Sequence, residues 1–299
     1  MKWHRHLGNE QEVTEVTEAD LNRRKRRNPL LPLLPPVKFP ASRLACGAGE
    51  FCIINAPPII PMRFPRFFLF CLIGVVLSAR VDAKPIPYNN NNEWILLVGG
   101  PSMHQWEQYK AQPHDHWWAN FVHAARLRTE QLRQELGPDA KITWLVYKQG
   151  YVDRATQEKQ DLISNIESVR DKYNLKLVWF NRGDEVINYL NRGQDRSRVK
   201  VAGFEYFGHS NRACFMFDYS NNLDSASKSW LHESDLVKID RHILARGVYA
   251  KSWGCHTGEE MSQRWYNATG TRMIGAWGKT QFMMEELPIL SSSDGRWVN

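Results

Sequence analysis

From Glu93 onward, short apolar runs alternate with amphipathic stretches along the chain. Trp94–Val98 is an uninterrupted apolar run that ends at Gly99-Gly100-Pro101, which is typical of a buried strand. The same pattern of short apolar runs between polar or turn-forming residues predicts further strands. These are Ile142–Tyr147, Leu175–Phe180, Val199–Phe207, Val248–Trp253 and Arg272–Trp277, with a short hairpin strand at Cys214–Phe217.

Apolar positions at helical spacing predict the elements that connect these strands. The predicted helices are His116–Leu136, Asp161–Tyr173, Asp184–Leu190, Glu233–Ala245 and Glu259–Tyr266. Asp115 is the expected N-cap of the first helix, and Gly137-Pro138 ends it. Strands that alternate with helices predict an α/β fold with a mainly parallel, open sheet and helices on both faces. One such domain accounts for residues 93–299.

The residues before Lys84 follow a different pattern. Phe67–Ala79 is an apolar run, shorter than the roughly 20 residues that a membrane-spanning helix needs. A short basic segment, Met62–Arg66, precedes it, and the small residues of Val81-Asp82-Ala83 follow it. These three parts predict a signal peptide at residues 62–83, cleaved after Ala83, and therefore an exported protein, periplasmic or secreted. The alternatives are an uncleaved membrane anchor or a buried core helix.

An export signal belongs at the start of a chain. We therefore expect residues 1–61 to be a disordered extension from a misassigned upstream start, and residues 84–92 (KPIPYNNNN) to be a linker. No stable membrane span is expected. Residues 1–83 carry 12 of the 39 Lys and Arg residues and 7 of the 32 Asp and Glu residues, which leaves a net charge of only +2 on residues 84–299. The basic character therefore belongs mainly to the leader, and we predict no nucleic-acid partner for the domain.

Cysteine usage narrows the candidate chemistry. Once the leader is set aside, only Cys214 and Cys255 remain. Two cysteines in an exported domain of this size do not form a disulfide framework. They form either one bridge or two thiols.

Two strand ends carry residues suited to catalysis. Val199–Phe207 delivers His209, and Val248–Trp253 delivers Cys255, each beyond the carboxyl end of its strand, where open α/β sheets bind ligands. A thiol at a strand-to-helix turn is favoured as thiolate by the helix N-terminus. A neighbouring histidine can act as general base and then as general acid.

The strand–Gly–His pattern, followed by strand–small–Cys, resembles the caspase-like (clan CD) cysteine peptidases, which include caspases, legumains, gingipains and separases. Gly254-Cys255-His256-Thr257-Gly258 is similar to the separase-type small–Cys–x–Ser/Thr–Gly turn. The resemblance implies a caspase-hemoglobinase-like fold, Cys255 as nucleophile, His209 as general acid and base, and a peptide or protein substrate. It also implies an oxyanion hole made by the backbone N–H groups of Ser210 and Cys255, although the family usually has glycine where this chain has Ser210.

Other residues are expected to border the same cleft. The loop from Gly99 to Pro113 is expected to overhang it. His114 and Asp115, which follow this loop, are expected to border the cleft without a catalytic role. Asp218 is a candidate for selecting a basic substrate side chain, with a turn-forming aspartate as the alternative. The candidate lining residues are Gly208, Asn211, Gly254, His256, Thr257, Gly258, His114, Asp115 and Asp218.

Two other interpretations remain open at this level. The first is a non-catalytic exported binding protein on the same fold, in which Cys214 and Cys255 are structural. The second is a zinc site at His114 and His116, joined by His104, His209 or His256, but two histidines in a loop are a weak signal. We predict no metal and no cofactor, and the sequence gives no oligomeric state.

Overall fold

A five-stranded parallel sheet forms the centre of the fold. The computed structural model describes residues 89, 91–108, 115, 117–220 and 222–299. The sheet order is β3-β2-β1-β4-β8, and every neighbouring pair is parallel. Its strands are β1 (Glu93–Val98), β2 (Lys141–Tyr147), β3 (Lys176–Phe180), β4 (Val201–Phe207) and, after three short strands, β8 (Leu244–Ser252).

Smaller sheets lie between β4 and β8 and after β8. The first contains β5 (His209–Ser210), β6 (Cys214–Met216) and β7 (Trp230–His232). The second pairs β9 (Gly275–Trp277) with β12 (Arg296–Val298), and the third pairs β10 (Thr280–Gln281) with β11 (Ile289–Leu290). All of these pairs are antiparallel.

The helices connect and cover the strands. The described helices are α1 (His104–Glu107), α2 (Asn120–Leu136), α3 (Lys148–Glu158), α4 (Leu162–Tyr173), α5 (Gly183–Arg192), α6 (Ser225–Lys228) and α7 (Met261–Thr269). Two 3-10 helices span Glu233–Lys238 and Arg241–Ile243. A side-chain hydrogen bond caps the start of α4, where the Asp161 carboxylate accepts the Ser164 N–H at 3.0 Å.

Both faces of the sheet are buried, which explains the uninterrupted apolar runs. Alternate residues of β1 point to opposite sides because side chains in a strand alternate. Trp94, Leu96 and Val98 pack in the cluster that includes residues of α2, α3 and α4. Ile95 and Leu97 pack in the other cluster, which includes residues of α5 and α7.

The predicted α/β class with a parallel sheet and flanking helices is confirmed, although several short helices and strands were not predicted, and three other differences have a physical explanation. The first is the predicted helix Glu233–Ala245, which is wrong. Leu236, Ile239 and Ile243 are buried as that helix required. However, the backbone is extended at Ile239, and the Asp240 carboxylate accepts the His242 N–H, which favours a turn over a continued helix.

The second difference is α3, which the hydrophobic pattern did not indicate. Its buried face consists of Gly150, Tyr151 and Arg154, and Arg154 forms an ion pair with Glu158 at 2.8 Å. Because an arginine occupies part of this buried face, the sequence lacks the apolar stripe that predicts an amphipathic helix.

The third difference is the predicted strand Arg272–Trp277. Only Gly275–Trp277 is a strand, and it pairs antiparallel with β12 rather than extending the parallel sheet. A single bridge between Lys251 and Ile274 connects this segment to β8.

The predictions for residues 1–61 and for the signal peptide at residues 62–83 lie outside the described residues, as does most of the linker at residues 84–92. Within the described part of the chain, no helix combines the length and the apolar character needed to cross a membrane.

A buried carboxylate ties the central strands to α2. Glu205 in β4 is fully buried, and its two oxygens accept three hydrogen bonds. Trp94 Nε1 donates at 2.9 Å, Arg128 Nε at 2.7 Å and Trp253 Nε1 at 2.8 Å. These donors come from β1, α2 and the residue that follows β8. The carboxylate therefore fixes the spacing of the elements that lead to both predicted catalytic turns.

Replacing Glu205 with alanine should destabilise the fold by about 3–5 kcal/mol, because it leaves the Arg128 Nε and two indole N–H groups buried without this acceptor. Glu205→Gln, which keeps the shape and one acceptor oxygen, should cost less. Chemical unfolding followed by circular dichroism gives both values. Equal stability of the alanine variant and the original protein would show that this network does not hold the sheet together.

Candidate functional site

His209 and Cys255 line one cavity of about 260 Å³ at the carboxyl edge of the sheet. The described residues around it include both aromatic and polar side chains. They are Asp115, Trp117, Asn120, Phe121, Gly208, His209, Cys255, Thr280, Gln281 and Phe282. A concave, partly apolar space with a few convergent polar groups is the usual form of a ligand or substrate site.

Strand register brings the two residues together. Tyr206 of β4 pairs with Ser252 of β8, and the Trp253 N–H donates to the Tyr206 carbonyl at 2.9 Å. His209 and Cys255 each lie three residues beyond that pair. Because the two strands are parallel neighbours, both side chains emerge at the same edge.

The two turns are also in direct contact. The Ser210 hydroxyl donates to the Cys255 carbonyl at 2.8 Å. A Cβ at Gly254 would lie 2.1 Å from Ser210 Oγ and 2.9 Å from the Gly208 carbonyl oxygen. Only glycine therefore allows this approach, which explains the small residue before the cysteine.

The His209 imidazole is held on several sides. Its Nε2 lies 2.9 Å from Asp115 Oδ2. The Tyr219 ring stacks on it with centroids 4.1 Å apart, and Phe121 meets it edge-to-face at 4.9 Å. The side chain is 11% exposed, so a buried carboxylate and two aromatic rings define its orientation.

Asp115 lines the cavity, as the sequence predicts, but its predicted role as a helix N-cap is wrong. It does not cap a helix, because α2 begins at Asn120 with Ala119 as its N-cap. Its Oδ2 accepts the Ser102 N–H at 2.7 Å as well as contacting His209, and its Oδ1 accepts from Asn120 Nδ2 at 2.7 Å. Burial alone would raise the pKa of Asp115. The hydrogen bonds and the charge of His209 outweigh burial, so the pKa is lowered and the carboxylate stays ionised.

Cys255 is half-buried beside Thr280 rather than at the start of a helix. The Thr280 N–H lies 3.4 Å from Sγ, and the Thr280 hydroxyl, 3.6 Å from Sγ, donates to the Trp253 carbonyl at 2.9 Å. Helix α7 begins only at Met261, so the expected position of the thiol at a helix N-terminus is not found. The backbone donor near the sulfur comes instead from β10. Within the described residues, the Cys255 N–H has no acceptor.

The turn after Cys255 is fixed by its own hydrogen bonds. His256 has φ of 62°, a conformation that residues other than glycine seldom adopt. Its N–H donates to the Gly278 carbonyl at 2.7 Å, and its Nδ1 lies 2.6 Å from Glu259 Oε1. Thr257 is fully buried, and the Gly258 N–H donates to the Ala276 carbonyl at 2.9 Å. These three residues therefore shape the turn, and none of them lines the cavity.

Cys214 is a separate free thiol, so the two cysteines form no bridge in this structure. Its Sγ lies 3.1 Å from His232 Nδ1. Burial, with the negative charges of Glu233 and Asp235, raises the pKa of Cys214 to about 11. Cys214 is therefore a protonated thiol near neutral pH.

The remaining predicted lining residues lie elsewhere in the fold. The Asn211 side chain accepts the N–H groups of Ala213 and Cys214, both at 2.9 Å, and so shapes the β5–β6 hairpin. The Asp218 carboxylate accepts the Ser225 hydroxyl, which matches the turn-forming alternative rather than a cleft position. Ser210 is buried behind the cavity wall, and His114 lies outside the described residues.

Among the described residues, no three histidine, cysteine or acidic side chains are placed to hold a metal ion. The zinc hypothesis required His114 and His116, which the structure does not describe. His209 and His256 instead contact carboxylates, Asp115 and Glu259 respectively.

Asp115→Asn should lower stability at neutral pH, and the difference from the original protein should shrink in acid. A group whose pKa is lowered by folding stabilises the protein above its unfolded value, about 3.9 for aspartate, and loses that contribution as the pH falls through the folded value. Urea unfolding between pH 2.5 and 7 measures the difference. A difference in unfolding free energy that stays constant over this pH range would contradict the ionised state assigned to Asp115.

Comparison with the models of known protein families, with curated proteins and with solved structures finds no match to this chain. The chemistry of the cavity itself must therefore support any assignment of function.

Proposed function

We propose that this protein is a cysteine-type hydrolase that uses Cys255 as nucleophile and His209 as general acid and base. The observation that carries the proposal is the shared cavity: Cys255 and His209 both line it, and the buried Asp115 carboxylate lies 2.9 Å from His209 Nε2. Nucleophile, base and orienting group are the three parts of activated-nucleophile catalysis.

Asp115 extends the predicted dyad to a triad. Because it is ionised and contacts Nε2, it favours the tautomer of His209 with the proton on that nitrogen. Proton exchange with the thiol is then assigned to Nδ1. The same carboxylate stabilises the imidazolium formed when the thiol loses its proton.

The chemical steps follow from these positions. The Cys255 thiolate attacks a substrate carbonyl carbon, and a C–S bond forms as the carbonyl electrons move to oxygen. His209 donates its proton to the leaving amine as the C–N bond breaks, leaving a thioester. Water then attacks the thioester carbon as His209 takes a proton from it. The C–S bond breaks, the carboxylic acid leaves, and His209 returns the proton to the Cys255 sulfur.

The tetrahedral intermediates carry a negative oxygen that needs donors. The Cys255 N–H is one candidate, because no acceptor among the described residues occupies it. The second donor assigned by family resemblance, the N–H of Ser210, belongs to a buried residue that does not line the cavity. We propose both N–H groups as donors, with the Cys255 N–H as the main one.

The caspase-like family, a peptide or protein substrate and export are parts of the same proposal. Two features support the family: all five main strands are parallel, and the catalytic residues follow two adjacent strands, β4 and β8. Export is proposed from the signal peptide predicted at residues 62–83.

Iodoacetamide should label Cys255 rapidly near neutral pH and leave Cys214 unlabelled, because the raised pKa keeps Cys214 protonated. His209→Ala should slow labelling of Cys255 by at least about 10-fold, and Asp115→Asn should slow it to a lesser degree. Peptide mapping by mass spectrometry of the full chain gives the rate at each cysteine.

His232→Ala is the matched control, since it removes the histidine beside the other cysteine. It should leave Cys255 labelling unchanged. If Cys255 reacts no faster than Cys214, or if its rate does not depend on His209, the non-catalytic binding protein becomes the better assignment.

A further inference from the structure

Three large aromatic side chains, Trp117, Phe121 and Phe282, form the apolar part of the wall of the proposed catalytic cavity. Trp117 and Phe282 are half-buried, and Phe121 is 3% exposed. The rings of Phe121 and Phe282 meet edge-to-face with centroids 4.7 Å apart. Phe121 also contacts the His209 ring, so the apolar wall begins directly beside the catalytic base.

Both carboxylate oxygens of Asp115, the acidic residue among the described lining residues, already have hydrogen-bonding partners. Asp115 Oδ1 accepts from Asn120, and Oδ2 accepts the Ser102 N–H and contacts His209. This carboxylate is almost fully buried, so it offers no free oxygen to a basic substrate side chain.

An acidic substrate side chain would also lack a partner. No lysine or arginine is present among the described residues that line the cavity. Thr280 and Gln281 supply only uncharged polar groups there. An acidic side chain entering this space would lose its hydration without gaining a counter-ion from the described lining residues, which is strongly unfavourable.

The volume is consistent with one side chain. The cavity of about 260 Å³ is smaller than the roughly 300–1,000 Å³ of sites that hold whole drug-sized ligands. It therefore suits a single residue next to the bond that is cleaved, with the rest of the substrate outside.

We propose that the substrate residue whose carbonyl Cys255 attacks carries an uncharged, apolar or aromatic side chain, which packs against Phe282, Phe121 and Trp117. This inference rests on the proposed hydrolase function. It makes Phe282 the main specificity-determining residue, since Phe121 is also needed to position His209. It further assigns no selective role to Asp218, which lies outside the cavity.

A set of peptidyl acyloxymethyl ketones that differ only in the residue beside the ketone tests this specificity. In each probe the Cys255 thiolate forms a C–S bond as the C–O bond breaks and the carboxylate leaves. On the full chain, probes with Phe or Leu should label Cys255 at least about 10-fold faster than probes with Asp or Arg. Iodoacetamide, which has no such side chain, is measured in parallel.

Phe282→Arg should reverse the preference by placing a cation in the wall. The Asp probe should gain about 10-fold and the Phe probe should lose about 10-fold. Met284→Arg adds the same charge to the same segment but does not line the cavity, and it should leave the preference unchanged.

The possible failures are distinguishable. Equal rates for all probes, or a faster Asp or Arg probe on the original protein, would overturn the specificity while His209-dependent iodoacetamide labelling still supports the hydrolase. Loss of that dependence would overturn both proposals. An unchanged preference in Phe282→Arg, with normal iodoacetamide labelling, would show that Phe282 does not determine specificity.

Discussion

The parallel pairing of β4 with β8 is the constraint on which the site depends. In a parallel pair the two carboxyl ends meet at one edge, and here the register sets Tyr206 against Ser252. His209 and Cys255 follow at the same distance from that pair. A shift of one residue in this register would turn one of the two side chains to the opposite face of the sheet, because the side-chain period of a strand is two.

Two buried carboxylates keep this arrangement rigid, and they act at different levels. Glu205 lies inside the sheet and accepts from Trp94, Arg128 and Trp253, so it ties the layers together. Asp115 lies at the edge and fixes His209. Each is a charge removed from water, and each is tolerated because several donors replace the lost hydration.

Some residues that line the cavity also contact His209 or Cys255. Phe121 forms part of the wall and also contacts the His209 ring. Thr280 places its N–H near the Cys255 sulfur and lines the same space. Since these contacts come from α2 and β10, the site includes parts of the chain far in sequence from the histidine and the cysteine.

Sequence patterns alone determined the α/β class, the main strands of the sheet and the positions of His209 and Cys255, because buried strands read as apolar runs and their ends carry the polar residues. The roles of Asp115, Thr280 and Phe282 depended on tertiary structure. Asp115 precedes a helix, so local reasoning assigned it as a cap, and only the tertiary structure shows its contact with His209, 94 residues away in the chain. Phe282 follows β10, a two-residue strand with no detectable period. Long-range contacts of this kind cannot be predicted from local sequence, because spacing along the chain identifies neighbours within one helix or strand and not neighbours across the fold.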